Sequence, residues 1–213
     1  MAETEGTIKF AYELLAPTDP VADDELMRPL FAWRTLLRRL EILGQHPDRY
    51  EGFGFGNLSA RDPHRLSEFV ISASQTSGLD AFDDEHMVRI TNCNLDRFWA
   101  DAVGNYPPSS ETITHAMVYA ADPRVKWVFH CHSPEIWNRV KDLALPCTAP
   151  EVDYGSPAMV QAVAKLLETH QSRPIVFATM GHVDGVFACG GTARDTGGLL
   201  VSYLAKAIGW ANR

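Results

Sequence analysis

One stretch of sequence is the starting point for predicting the fold: Val125-Lys126-Trp127-Val128-Phe129-His130-Cys131-His132. Its apolar run predicts a buried strand that ends in two histidines. Because side chains alternate along a strand, His130 and His132 project to one face and Cys131 to the other. Two imidazoles about 7 Å apart along one face can converge on a single cation. Such a pair is about as often a core or surface feature as a ligand pair, so other residues must decide.

Length and composition predict one large globular domain. A chain of 213 residues is long enough to bury a hydrophobic core without disulfides or structural metals to stabilise it. The net charge of −8, without a basic run, argues against nucleic acid as a partner. Residues 1–7 lack a signal pattern, and no apolar stretch approaches the roughly 20 residues that span a bilayer. We expect a cytoplasmic protein without a membrane partner. Its cysteines form no C-x-x-C pair and are predicted to be reduced: Cys93, Cys131, Cys147 and Cys189.

The predicted elements interleave helices and strands. Residues 1–24 are predicted to be an extended N-terminal arm and residues 25–213 a single domain. The first helix, 25–43, is capped by Gly44, and its four arginines are assigned to a solvated face instead of an anion site. Because several strands follow one another directly, we expect an α/β fold of α/β/α layers with a mixed, mainly antiparallel central sheet. The other predicted helices are 110–120, 156–169 and 196–210, and the strands are 69–73, 87–91, 95–100, 125–132, 175–179 and 184–189.

Pro108-Ser109-Ser110-Glu111 precedes a predicted helix and supplies polar groups at its start. A helix N-terminus offers free N–H groups and a partial positive charge, so Ser109 and Ser110 could bind an anion, with Glu111 in the first turn. A routine cap is the alternative. His115 lies four residues on, on the same face as Glu111. It is interpreted either as a further ligand or as a packing or supporting residue.

Two turns and a late histidine complete the candidate set. Asn57 and Ser59 follow glycines in a predicted tight loop, and Ser77-Gly78 follows a predicted strand. Each can bring donors to a phosphate, although each is also ordinary turn chemistry. His182 stands near the end of another apolar strand, where a lone histidine is usually structural.

The order of these motifs resembles the class II aldolase/adducin family, to which L-fuculose-phosphate aldolase and L-ribulose-5-phosphate 4-epimerase belong. The resemblance covers about residues 25–210 and is most specific in two motifs, P-S-S-E at 108–111 and H-x-H at 130–132. It implies that His130, His132 and His182 bind zinc or another divalent metal and that Glu111 is the catalytic acid–base. It further implies a phosphate site formed by Asn57, Ser77, Gly78, Ser109 and Ser110.

The chemistry of these residue types agrees with that implication. Three neutral imidazoles leave an open position on zinc, as catalytic sites do. A chelated hydroxy-carbonyl is polarised, and the enediolate formed on C–C cleavage is stabilised, while Glu111 moves the proton. The expected function is therefore aldolase-type cleavage of a small hydroxy-carbonyl sugar phosphate. Epimerisation, dehydration, decarboxylation or a non-catalytic adducin-like assembly role are the alternatives.

The chain departs from the family pattern in two places. Val183 and Asp184 separate His182 from Gly185, where most members have glycine directly after the histidine. The sugar-phosphate aldolases and epimerases also place a catalytic tyrosine beyond the last helix. The sequence carries none after that helix; Tyr154 is either a partial substitute or a structural residue.

A homo-oligomer is also expected, and the resemblance implies a tetramer with its active site near a subunit boundary. The sequence has five tryptophans and ten phenylalanines, with Phe53, Phe55 and Trp137 in or near predicted loops. Such residues are enriched at interface cores, although they also pack the interior of a monomer.

Overall fold

The structure is a computed structural model that describes residues 5–211. In this part of the chain the elements alternate irregularly between strands and helices. The helices are α1 (Asp24–Arg39), α2 (Thr112–Ala121), α3 (Pro134–Trp137), α4 (Pro157–Thr169) and α5 (Ala193–Ala211). The strands are β1 (Ala11–Leu15), β2 (Gly44–Gln45), β3 (Gly54–Phe55), β4 (Asn57–Arg61), β5 (Phe69–Ser72), β6 (Met87–Asn94), β7 (Trp99–Val103), β8 (Trp127–His132), β9 (Ile175–Ala178) and β10 (Gly185–Gly190).

One eight-stranded sheet organises the described residues, in the order β1-β7-β6-β5-β4-β8-β10-β9. Strand β1 pairs with β7 in parallel, and the other pairs of this sheet are antiparallel. Strands β2 and β3 form a separate small ribbon. The prediction of a mixed, mainly antiparallel sheet within an α/β fold is confirmed.

Helices cover both faces of the sheet and give two apolar cores. Leu30 and Leu37 of α1 and Leu200 of α5 pack with Phe129 and Cys131 on one face. The second core lies on the opposite face and joins residues of α2 and α4 to the sheet, among them Val118, Val163, Val128, Phe177 and Phe187. Side chains of β8 alternate between these cores, so the face of Val128 also carries His130 and His132. None of the helices between residues 5 and 211 has the length and apolar content needed to cross a bilayer.

Four local predictions differ from the structure. Residues 57–61, interpreted as a loop, form β4, because Leu58 and Ala60 enter the core while the strand pairs on both sides. The strand expected at 95–100 begins at Trp99, since residues 95–98 form the turn after β6. Helix α1 ends at Arg39 with Leu40 as its C-cap, so Gly44 lies in β2 instead of capping the helix.

Arg34 is the fourth difference, because it is buried and does not belong to a solvated face. Its guanidinium donates to the carbonyls of Thr76, Ser77 and Leu79 at 2.7–3.1 Å. Arg34 therefore holds the loop that carries Ser77. Strand β1 also falls within the predicted N-terminal arm; the division between arm and domain stays a prediction.

A buried carboxylate, Asp122, ties the end of α2 to its surroundings. Asp122 accepts hydrogen bonds from the Arg124 guanidinium at 2.7–3.2 Å, and Arg173 pairs with it at 2.9 Å. These contacts, first of all the hydrogen bonds from Arg124, hold the pKa of Asp122 below its usual value despite burial. The ionised form of Asp122 therefore stabilises the fold.

We expect Asp122→Asn to lower the free energy of unfolding by about 1–3 kcal/mol at neutral pH, because hydrogen bonds to charged groups carry that much. A lowered native pKa gives stability that is fully present above the unfolded pKa of about 4 and is lost as pH falls through the native value. The difference from the parent should therefore shrink in acid. Urea unfolding at neutral and acidic pH measures it, with the exposed Asp142→Asn as control. An equal deficit at both pH values would contradict the assignment.

Candidate metal centre

Three buried histidines converge at one end of the sheet. The ligand atoms offered by His130, His132 and His182 all lie within 4.8 Å of one another. The Nε2 atoms of His130 and His132 are 3.2 Å apart. Two nitrogens bound to one tetrahedral zinc at the usual bond lengths would be about 3.3 Å apart. The cluster therefore fits a divalent metal in its spacing.

The surroundings of His130 and His132 set the protonation that a metal requires. The Nδ1 of His130 lies 3.3 Å from the Val186 carbonyl. A carbonyl only accepts, so this nitrogen carries the proton and Nε2 is left with its lone pair. Burial lowers the pKa of both His130 and His132 well below the usual value. Both rings are therefore neutral, as metal ligands must be.

A tight turn after β9 places His182 in the histidine cluster. The His182 N–H donates to the Thr179 carbonyl, and the Gly185 N–H donates to the His182 carbonyl at 2.9 Å. Asp184 adopts a left-handed φ of 63°, and its carboxylate accepts from the Tyr50 hydroxyl at 2.7 Å. The two-residue departure from the family pattern thus forms part of an ordered turn that keeps His182 in the cluster.

Tyr154 packs against this turn. Its ring stacks on the imidazole of His182 with the ring centroids 4.5 Å apart. Burial is the main reason that the pKa of Tyr154 is raised to about 12. At neutral pH the side chain is therefore a neutral phenol beside a candidate ligand.

Glu111 adjoins the cluster from the start of α2. It is the N-cap residue of the helix, not a first-turn residue, and it is buried. Its Oε1 lies 3.5 Å from Nδ1 of His182 and has no hydrogen-bond partner among the described residues. Burial raises the pKa of Glu111 above its usual value. A buried carboxyl that has one unpartnered oxygen and retains its proton more readily than usual has the properties of a proton-transfer group.

The P-S-S-E segment meets the sheet through strand β5. Ala73, next to the end of β5, forms a bridge with Pro108, and the Ser74 N–H donates to the Pro107 carbonyl. This contact brings the start of α2 to the edge where β4 begins and β8 ends. The P-S-S-E motif and the histidines therefore meet although they are distant in sequence.

A small cavity beside the histidines gathers most of the predicted anion-binding residues. Gly56, with φ of 77°, brings the chain so close to the His130 carbonyl that an added Cβ would lie 3.0 Å from its oxygen. The next residue, Asn57, has a buried Oδ1 without a partner among residues 5–211. Gly78 is not part of the lining and packs on Gln45. The cavity is lined by Glu5, Gly6, Gly54, Gly56, Asn57, Ala73, Ser74, Gln75, Ser77, Ser109, Ser110 and Glu111.

His115 and Ser59 lie outside this group. The Nδ1 of His115 is 2.7 Å from the Ser59 hydroxyl, which also contacts the Tyr119 hydroxyl at 2.7 Å. Burial lowers the pKa of His115 to about 3, so its ring is neutral. The structure thus favours the supporting role for His115 over that of a metal ligand.

Sequence reasoning missed Glu5, whose carboxylate lies 2.9 Å from Nε2 of His182. Burial is the largest single effect on His182 and by itself would lower its pKa, but the hydrogen bond with Glu5 together with the charges of Glu5 and Glu111 raises that pKa overall. Nothing local in the sequence marks Glu5. Arg34 did carry a signal, because it falls four residues after Leu30 and three before Leu37, on the apolar face of α1.

The profile of the family described as class II aldolase and adducin N-terminal domain matches residues 46–204, most of the chain. The chain belongs to this family. The predicted resemblance is therefore confirmed, and the match includes the three histidines and Glu111. A search of curated proteins finds no relative.

Solved structures of the class II aldolase fold agree with the architecture. An L-fuculose 1-phosphate aldolase superposes with a TM-score of 0.64 at 19% identity, covering 90% of this chain and 88% of that one. The L-fuculose-1-phosphate aldolase from Thermus thermophilus gives 0.64 at 18%, covering 89% and 94%. A sugar-phosphate aldolase from Thermotoga maritima gives 0.61 at 15%, covering 86% and 94%. At such identities these similarities establish the fold.

We expect this class II aldolase family member to bind one divalent ion per chain. His130→Ala, His132→Ala and His182→Ala should each lose it, because each variant removes one of three converging ligands. Elemental analysis after dialysis against excess zinc measures the ion content. The exposed His64→Ala serves as the matched control and should bind normally. Full metal content in the His130 or His132 variant would refute the assignment.

Proposed function

We propose that the protein is a metal-dependent lyase that cleaves a carbon–carbon bond in a small hydroxy-carbonyl sugar phosphate. The proposal is carried by one observation, the buried Glu111 with its unpartnered Oε1 beside the three-histidine cluster. The membership in the class II aldolase family and the similarity to sugar-phosphate aldolases support it. We further propose a role in carbohydrate metabolism and a cytoplasmic location.

His130, His132 and His182 would hold the metal, for which we propose zinc. Imidazole suits several divalent ions, so other metals fit the same ligands. When bound, the metal supplies Lewis-acid polarisation of a substrate carbonyl. The residues of the chain then have two tasks, to orient the substrate and to move a proton.

Glu111 would perform the proton transfer at Oε1. Its buried position raises its pKa, which brings the proton affinity of the carboxyl closer to neutral pH. The same burial excludes competing water from the carboxyl. Glu111 can therefore accept a proton from a substrate hydroxyl and return it to the carbon left by bond cleavage.

Asn57, Ser77, Gly78, Ser109 and Ser110 would bind the substrate phosphate. Ser109 and Ser110 directly precede Glu111, the N-cap residue of α2, at a helix start where N–H groups and the helix dipole favour an anion. The chain carries a net charge of −8, so local donors must overcome an unfavourable overall field. The part played by Gly78 would be indirect, since it lies outside the cavity lining.

Epimerisation, dehydration and decarboxylation are also chemically compatible with this scaffold, because each needs a polarised carbonyl and an acid–base group. An adducin-like assembly module is less compatible with the centre. Burying Glu111 without a hydrogen-bond partner for Oε1 costs stability, and an assembly surface gains nothing from it.

We also propose that the protein forms a tetramer. Of the aromatic residues considered for its interface, Phe55 packs against His132 within the chain, whereas Phe53 is partly exposed and is available for contact with another subunit.

A screen of phosphorylated ketoses, together with phosphorylated sugar acids as decarboxylation substrates, tests the reaction class of the zinc-loaded protein. Cleavage should release an aldehyde and a shorter phosphorylated ketone, whereas epimerisation conserves mass, dehydration releases water and decarboxylation releases carbon dioxide. Glu111→Gln should keep the fold and the metal and lower turnover by about 10²-fold or more, since general acid–base catalysis contributes that much. Unchanged turnover in this variant would remove Glu111 from the mechanism.

Ser110→Ala should weaken binding of the phosphate group and raise KM on the identified substrate by about 10-fold or more, which is what one hydrogen bond to an anion contributes. Turnover at saturation should change little. Ser202→Ala on the exposed side of α5 is the matched control. An unchanged KM, together with inorganic phosphate that does not compete with substrate, would contradict the anion site.

A further inference from the structure

We propose that Glu5 is a fourth, displaceable ligand of the metal, supplied by the N-terminal segment. The inference rests on the proposed function, because it requires the three-histidine metal centre. It adds a carboxylate that lies outside the matched family region, residues 46–204.

The position of the Glu5 carboxylate carries the inference. Oε2 lies 2.9 Å from Nε2 of His182, and Oε1 lies 3.7 Å from Nε2 of His132. An oxygen and a nitrogen that share one tetrahedral zinc are separated by about 3.3 Å. The two observed distances fall on either side of that value, so Glu5 faces the same point as the imidazoles.

The negative charge at this point is suited to a cation. The Glu5 side chain is only 14% exposed, and Glu111 lies on the opposite edge of His182, 3.5 Å from its Nδ1. A buried carboxylate is costly unless a positive charge lies beside it, and a divalent ion held by the histidines would supply that charge next to Glu5.

The segment is held in place by specific contacts. Phe10 is buried, and β1 begins at the next residue, with the Ala11 N–H bonded to the Phe98 carbonyl. Lys9 donates to the Tyr154 carbonyl at 2.8 Å and lies 3.8 Å above the Tyr154 ring. Since that ring stacks on His182, the segment docks against a metal ligand.

The same carboxylate adjoins the proposed anion site, which is why we infer that it is displaceable. Glu5 and Gly6 line the cavity together with Asn57, Ser109 and Ser110. A carboxylate and a phosphate repel strongly in a poorly solvated cavity. Glu5 therefore completes a closed four-ligand set at rest and leaves when an anionic chelating substrate enters.

Cobalt binding to the full chain tests this inference, because cobalt reports its ligands by absorption and zinc does not. The proteins are the parent, Glu5→Gln and the control Glu13→Gln, an exposed glutamate on β1. We expect Glu5→Gln to bind Co²⁺ roughly 10-fold or more weakly, the scale of losing a contact to a metal site, and to change its visible spectrum. Glu13→Gln should match the parent in both readouts.

A second measurement separates a lost ligand from a damaged site. Acetohydroxamate, a bidentate chelator, is titrated into the cobalt-loaded proteins. It should bind Glu5→Gln severalfold more tightly than the parent, since no carboxylate has to be displaced. General damage to the site would instead weaken both metal and chelator binding and would overturn the proposal.

The outcomes also distinguish this inference from the proposed function. If the parent binds no Co²⁺, the three-histidine centre fails and the role of Glu5 fails with it. If the parent binds Co²⁺ and Glu5→Gln has the same affinity and spectrum, the role of Glu5 alone is refuted and the three-histidine centre stands.

Discussion

The pairing of β8 with β4 on one side and β10 on the other is the constraint on which the rest of the structure depends. Its register sets Asn57 opposite His130 and Gly185 opposite His132. The loop before β4 and the turn before β10 are therefore brought to the two histidines by backbone hydrogen bonds. A shift of one residue in β8 would turn both imidazoles into the opposite core, because side chains alternate along a strand.

The centre concentrates unsatisfied polar groups that the surrounding cores must offset. Buried atoms without a hydrogen-bond partner among the described residues include Asn57 Oδ1, Glu111 Oε1, His132 Nδ1 and His182 Nδ1. These four residues lie within one neighbourhood at the end of the sheet. Native proteins leave few buried polar groups unsatisfied, so such a concentration is typical of a site built for something other than stability. The apolar packing of α1, α2, α4 and α5 on both faces supplies the compensating stabilisation.

Sequence patterns predicted those residues of the metal centre whose signal was local. The alternation in β8 was sufficient to place His130 and His132 together, and the family motif related them to Glu111. Strand β4 was missed because glycines precede it and its polar residues suggest a turn, although Leu58 and Ala60 follow the alternation of a strand. Strand β1 was missed because an edge strand buries little on either face. Glu5 could not be predicted, since only the three-dimensional path of the segment brings it to histidines more than a hundred residues away.

That path has a mechanical consequence. In the sheet order, β1 and β8 are five strand spacings apart, about 24 Å for a flat sheet. Between Glu5 and Ala11 the chain turns at Glu5-Gly6 and is anchored by the buried Phe10. The short segment that places Glu5 beside the histidines therefore leads directly into the outermost strand of the sheet. Edge strands fray at a small free-energy cost compared with central ones. Fraying of β1, a local event at the edge of the sheet, would therefore loosen the segment that holds the Glu5 carboxylate beside the histidines.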